Sequence, residues 1–63
     1  MKVREDIRLI EKDGWCHVRT KGSHRQFQHS AKLGTVTVAG NLGGDLPPGT
    51  LNSILKQSGL KRF

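Results

Sequence analysis

The sequence predicts an α+β fold in which a helix is followed by a three-stranded antiparallel sheet and a second helix, in the order α-β-β-β-α. Three observations lead to this prediction. Apolar residues recur with helical spacing near both ends of the 63-residue chain, three strand-like segments lie between them, and the connections are short enough for an antiparallel meander. Each helix has one apolar stripe, so we expect both on the same face of the sheet, with the other face open to solvent.

The first helix is predicted over about Lys2 to Asp13. Apolar residues recur there every three or four positions with charged residues between them, which indicates an amphipathic helix packed on a core. These apolar positions are Val3, Ile7, Leu9 and Ile10. Gly14 comes next and can adopt the left-handed conformation that ends many helices.

Three strands are predicted over Trp15 to Thr20, His24 to His29 and Thr35 to Ala39. The first two are joined by a short connection that contains a glycine, as a tight hairpin needs. Within the second strand, alternation points Arg25, Phe27 and His29 to one face and His24, Gln26 and Gln28 to the other. If Phe27 and the valines of the third strand face the core, His24 lies on the open face, where a reactive group is accessible.

The second helix follows a glycine-rich loop that runs from Ala39 to Asp45. Pro47 and Pro48 suit the first turn of a helix, where a missing N–H costs nothing. The stripe of this helix consists of Leu51, Ile54, Leu55 and Ser58. Gly59 is predicted to end it, and no internal repeat competes with a single domain over residues 1–63.

Charge and cysteine content narrow the class of protein. Eleven Lys and Arg against five Asp and Glu give a net charge of +6. From residue 14 onward there are seven Lys or Arg residues and a single acidic residue, Asp45. Such an excess favours a polyanionic partner, nucleic acid first. The single cysteine, Cys16, excludes an intramolecular disulfide and a thiolate zinc cluster, and suits a reducing cytoplasm. No apolar run is long enough for a membrane helix, so we expect a cytoplasmic protein that makes no membrane contact.

The candidate site is the segment Lys21-Gly22-Ser23-His24-Arg25. Histidine is the side chain whose ordinary pKa, about 6.5, lets it take or give a proton at cellular pH, so His24 is the candidate base. Lys21 and Arg25 are candidate phosphate donors, the first as a point charge and the second with a bidentate fork. Gly22 leaves room for a ligand backbone to approach, and Ser23 can bind a phosphate or orient the imidazole ring.

Two further histidines remain open as the general acid, His17 in the first strand and His29 at the inward end of the second. A zinc site built from the three histidines is not expected, because no two have a spacing typical of a common ligand set and no carboxylate accompanies them. We therefore expect neither a metal nor another cofactor.

A set of short motifs in fixed order covers nearly the whole chain. They are Asp13-Gly14-Trp15, Lys21-Gly22-Ser23-His24 with Phe27 and His29, Val36-Thr37-Val38, Gly49-Thr50-Leu51, Ile54-Leu55-Lys56-Gln57 and Gly59-Leu60. In this order and spacing the sequence resembles the HicA-type (YcfA-like) toxins of type II toxin–antitoxin systems. The Gly-Trp, Gly-Ser-His and Gly-Thr-Leu blocks are the most specific part of the resemblance.

The resemblance implies a fold similar to the double-stranded-RNA-binding domain and the activity of an mRNA interferase. It implies a single essential histidine, which maps onto His24 alone. RNA contacts by its neighbours Lys21, Gly22, Ser23 and Arg25 are expected from the chemistry of those residues given above. The implied partners are mRNA and a HicB-type antitoxin that covers the histidine in a hetero-oligomer, with the free toxin a monomer or weak dimer. The alternative is a catalytically silent module that binds RNA or the antitoxin.

The chain departs from this family after the third strand. Relatives often carry proline and basic or histidine residues there, whereas Ala39 to Gly44 has no charged residue. If RNA affinity depends on cations in this loop, we expect weaker binding or slower cleavage.

Overall fold

The computed structural model describes residues 1–60, and the chain forms α1 (Val3–Lys12), β1 (Trp15–Lys21), β2 (His24–His29), β3 (Thr35–Ala39) and α2 (Pro48–Ser58). The strands form one antiparallel sheet in the order β1-β2-β3. The predicted α-β-β-β-α fold is confirmed, with β1 one residue longer than expected. The cations Lys61 and Arg62 and the last residue of the predicted domain lie outside the described residues.

The core lies between the two helices and one face of the sheet. It is a cluster of buried residues to which both helices, all three strands and the segment before α2 contribute: Val3, Ile10, Trp15, Phe27, Val36, Val38, Leu46 and Ile54. Burying an aliphatic or aromatic side chain of this kind stabilises a fold by about 1.5–3 kcal/mol. Because helix residues and the inward residues of β2 and β3 share one cluster, both helices cover the same face, as predicted.

The other side of the sheet, which we call the open face, is polar. Strand pairing and alternation assign to it Cys16, Arg19, Lys21, His24, Gln26, Gln28, Thr35, Thr37 and Ala39. All of these residues are exposed except Gln26, which is half-buried. The open face is therefore solvated over its whole area, while Phe27 and the two valines behind it are buried.

A β-bulge interrupts β1. His17 pairs with Phe27, but Arg19 pairs with Gln26, so β1 contains one residue more than β2 between these two pairs. The extra residue is Val18, which is 50% exposed. A bulge shifts the alternation of side chains by one position, so that residues beyond it face the side that simple counting assigns to their neighbours.

The N-terminus of α1 is joined to the loop between β3 and α2. The backbone N–H groups of Val3 and Arg4, which have no partner inside the helix, donate to the carbonyls of Gly44 at 3.0 Å and Leu42 at 3.1 Å. The loop is thereby held beside the sheet end where β2 begins, because Gly40 also donates its N–H to the carbonyl of Ser23 at 3.2 Å.

Candidate functional site

His24 is the first residue of β2 and lies on the open face. It is exposed, and its neighbours across the sheet are Lys21 on β1 and Ala39 on β3. The predicted placement is therefore confirmed. Its imidazole makes no hydrogen bond to any residue of the described range 1–60, so both ring nitrogens can reach a substrate.

The hairpin turn before His24 depends on Gly22. This residue has φ +60°, whereas Ser23 has a negative φ, which is the sign pattern of a type II′ turn with glycine at its first central position. A Cβ on Gly22 would meet nothing within 4 Å. Glycine is therefore needed at this position because of its positive φ, and not because a larger side chain would clash. The outer side of the turn is open to a ligand.

The structure brings Lys21 to His24 and takes Arg25 away from it. Lys21 is the Cα partner of His24, a relation that places two side chains next to each other on one face of a sheet. Arg25 pairs with the fully buried Val38 and lies on the helix-covered face. Its Nη1 donates to the carbonyl of Gly40 at 2.8 Å, so its guanidinium holds the loop after β3.

Arg19 is a cation of the open face that the sequence reasoning missed. If β1 simply alternated from the buried Trp15, Arg19 would point toward the helices. A signal was nevertheless present in the sequence. A two-residue hairpin turn pairs Lys21 with His24, and strict alternation back along β1 would then put Trp15 on the face of His24. If Trp15 instead belongs to the core, β1 must contain one extra residue between them.

His29 has a structural role on the helix-covered face. Its Nδ1 accepts the backbone N–H of Ala31 at 2.9 Å, so Nε2 carries the hydrogen and donates it to the carbonyl of Asp13 at 2.8 Å. The ring also packs on Trp15 in a T-shaped arrangement, with centroids 5.3 Å apart. His29 therefore fixes the end of α1 against β2.

His17 also lies on the face away from His24. Its Nε2 is 2.6 Å from Oγ1 of Thr20, and its ring centroid is 5.5 Å from that of Phe27. Neither His17 nor His29 is thus placed beside His24 to act as a second proton-transfer group. Within residues 1–60, no three His, Cys, Asp or Glu side chains are grouped so that they could hold a metal ion.

The acidic residues lie away from the open face. None of the five Asp and Glu belongs to a strand. Asp45 pairs with Lys2 at 3.3 Å, and Asp13 pairs with Lys32, whose hydrogen bond lowers the pKa of that carboxyl. Lys21 and Arg19 have no carboxylate partner within the described residues, so the cationic field beside His24 is not neutralised.

The uncharged loop after β3 receives positive charge from other elements. Arg4 of α1 donates its Nε to the carbonyl of Leu42 at 3.3 Å, and its Nη2 lies 3.0 Å from where a Cβ on Gly43 would be. Arg25 contacts the same loop at Gly40. The loop lacks cations of its own, yet two guanidinium groups lie against its backbone.

No helix in the described part of the chain is long and apolar enough to cross a membrane. A search of curated proteins gives no match. The family model described as the HicA toxin of bacterial toxin–antitoxin systems matches residues 3–60, a span that includes both helices and all three strands.

Proposed function

The chain belongs to the HicA toxin family of bacterial toxin–antitoxin systems, and on this premise we propose that it is a cytoplasmic endoribonuclease that cleaves mRNA with His24 as its catalytic residue. The observation that carries the proposal is the exposed imidazole on an open, acid-free face with Lys21 as its cross-strand neighbour. A proton-transfer group and an unneutralised cation are what cleavage of a phosphodiester requires.

The proposed reaction uses only groups on the open face and in the hairpin turn that precedes His24. Neutral His24 takes the proton of a ribose 2′-OH while that oxygen forms a bond to the adjacent phosphorus. The bond from phosphorus to the 5′-oxygen of the next nucleotide breaks, and the protonated imidazole returns its proton to this leaving oxygen. Lys21 stabilises the charge on the phosphate oxygens, and the Ser23 hydroxyl donates to one of them.

The turn and loop at the start of β2 supply the binding surface. Gly22 lets the sugar–phosphate backbone approach the turn, since no atom of any residue other than Gly22 and its two chain neighbours lies within 4 Å of the position of its absent Cβ. Arg25 was predicted to be a phosphate donor because it follows His24 in the sequence. In our proposal it acts instead by holding the loop at Gly40 beside that surface.

The test compares His24→Ala with His17→Gln, a control that removes an exposed imidazole from the opposite face. Each purified protein is incubated with a long mRNA, with and without EDTA. Because one residue serves as both base and acid, we expect His24→Ala to lose at least about 100-fold in cleavage rate, and His17→Gln to retain activity. Equal activity of wild type and His24→Ala would refute the catalytic assignment, and loss of wild-type cleavage in EDTA would refute a metal-independent reaction.

The partner that we propose is a HicB-type antitoxin that covers the open face in a hetero-oligomer. An exposed catalytic residue in a cell that contains its substrate requires a cover, and His24 has none of its own. Co-expression with the antitoxin is expected to restore growth, and the purified complex to block access of RNA to His24.

A second candidate function is a catalytically silent module. The observation that favours it is the absence, within residues 1–60, of any group that hydrogen-bonds the His24 ring and fixes its orientation. Such a module would bind RNA without cutting it, and His24→Ala would weaken its binding only modestly. The mRNA assay above separates the two functions directly.

A further inference from the structure

We propose that Arg19 is a second phosphate-binding residue, and that the RNA backbone runs along β1 over the open face from Lys21 to Arg19. This inference rests on the proposed function, since it names the path of the same substrate. It assigns a role to a side chain that lies five residues before His24 and on another strand.

The bulge at Val18 determines this role. Arg19 pairs with Gln26 and Lys21 pairs with His24, which places both cations on the open face. Residues two apart on a strand are separated by about 6.6 Å, so the two positive charges form a short row parallel to β1. Without the extra residue, Arg19 would either face the helices or require Trp15 to leave the core.

Charge complementarity identifies the occupant. The strands contain no acidic residue, and Arg19 has no ion-pair partner in the described range, unlike Lys2 and Lys32, which are each paired with a carboxylate. A cation that is exposed and unpaired keeps its full capacity to replace a counterion on a phosphate. The occupant is therefore polyanionic.

The rest of the open face favours contacts to the backbone of RNA over contacts to its bases. The open face also carries amides and hydroxyls on β2 and β3, Gln26, Gln28, Thr35 and Thr37, which can donate to phosphate or 2′-hydroxyl oxygens. Trp15 and Phe27 are both buried, so this face has no tryptophan or phenylalanine platform for base stacking in the described part of the chain.

The experiment measures RNA affinity in a His24→Ala background, so that the RNA stays intact. The dissociation constant for an unstructured single-stranded RNA is determined over a series of salt concentrations for the parent, Arg19→Gln, Arg19→Lys and Arg8→Gln. Arg8 is an exposed arginine of α1, so its variant loses the same charge away from the sheet. Thermal unfolding checks that each variant is folded.

We expect Arg19→Gln to weaken binding about fourfold at about 0.15 M salt and to reduce the salt slope by about 0.7, which is the contribution of one phosphate contact on a single strand. Arg19→Lys is expected to keep most of the affinity, and Arg8→Gln to match the parent. In the active protein, Arg19→Gln should raise KM and leave kcat unchanged.

Three outcomes would overturn the assignment. Equal losses in Arg19→Gln and Arg8→Gln would mean that only net charge matters. An unchanged salt slope in Arg19→Gln, with the parent still binding RNA, would remove Arg19 from the path. Weaker antitoxin binding by Arg19→Gln with unaltered RNA affinity would make the row a protein interface. By contrast, a wild type that neither binds nor cleaves RNA would refute the proposed function itself.

Discussion

At the scale of single residues, Gly14 and His29 show how closely the end of α1 is packed on the sheet. Gly14 has φ +108°, and a Cβ there would lie 2.6 Å from Nε2 of His29, the atom that donates to the carbonyl of Asp13. Any side chain at this position therefore meets both an unfavourable backbone conformation and a ring that is held in place from two sides.

We predict that Gly14→Ala lowers the free energy of unfolding by about 2–3 kcal/mol, from the left-handed backbone and the lost hydrogen bond together. The matched control is Gly22→Ala, which has φ +60° but open space around its Cβ and should cost only about 1–2 kcal/mol. Urea unfolding followed by the fluorescence of Trp15, the only tryptophan, measures both. Equal costs for the two variants would mean that the contact with His29 contributes nothing.

The residue that sequence reasoning placed least well is Arg25. Adjacency to His24 suggested a shared role, although the same alternation that put His24 on the open face assigned Arg25 to the opposite one. Adjacent residues on a strand point to opposite faces, so Lys21, three positions before His24, shares the face of its imidazole and Arg25 does not. The face of the sheet to which a side chain points, and not its distance along the chain, decides which side chains share a site.

At the scale of elements, Arg25 connects β2 to the loop after β3. Replacing it with glutamine removes the charged hydrogen bond to Gly40, and we expect this to lower the free energy of unfolding by about 1.5–3 kcal/mol. Arg19→Gln removes the same charge from an exposed position and should change stability by less than about 0.5 kcal/mol. Thermal unfolding of the two variants provides the comparison. Equal stability of both would contradict the structural role of Arg25.

Most element boundaries were predictable because they depend on local signals. The strands β2 and β3 begin and end where alternation and turn residues indicated. A glycine with positive φ follows each helix, Gly14 after the cap of α1 and Gly59 as the cap of α2. The bulge in β1 was not predicted, because it results from two distant requirements, the hairpin register at Lys21 and the burial of Trp15. Neither requirement can be seen in the pattern of residues along β1 alone.

Asp6 was missed for a related reason. It occupies the inward stripe of α1 between Val3 and Ile10, yet a search for apolar periodicity passes over a carboxylate. Its side chain is fully buried, and neither oxygen has a hydrogen-bond partner among the described residues. Burial raises the pKa of this carboxyl, since the charged form loses its water and gains no compensating contact.

At the scale of the whole molecule, two carboxylates give stability opposite dependences on pH. Asp6 has a raised pKa in the folded protein, so the stability it contributes is present below its ordinary pKa of 3.8 and is lost as the pH rises through its folded value. Asp13 has a lowered pKa, chiefly because of its hydrogen bond with Lys32. Its contribution is present above the ordinary value of 3.8 and is lost as the pH falls through the folded value.

We therefore predict that two variants change the pH profile of unfolding in opposite directions. Asp6→Leu removes a buried, unpartnered carboxylate from an apolar stripe, and should raise the free energy of unfolding at pH 7 by about 1–3 kcal/mol. This gain should shrink toward pH 3, where the wild-type carboxyl is protonated.

Lys32→Met removes the partner of Asp13 and should destabilise the protein at pH 7, with a smaller effect once Asp13 is protonated in acid. Urea unfolding from pH 3 to pH 8 measures both profiles, with Asp45→Asn, a variant of an exposed acid, as control. A destabilised Asp6→Leu at pH 7 would mean that the Asp6 carboxylate has a partner that stabilises its charge, and parallel profiles for Lys32→Met and wild type would remove the ion pair from the acid response.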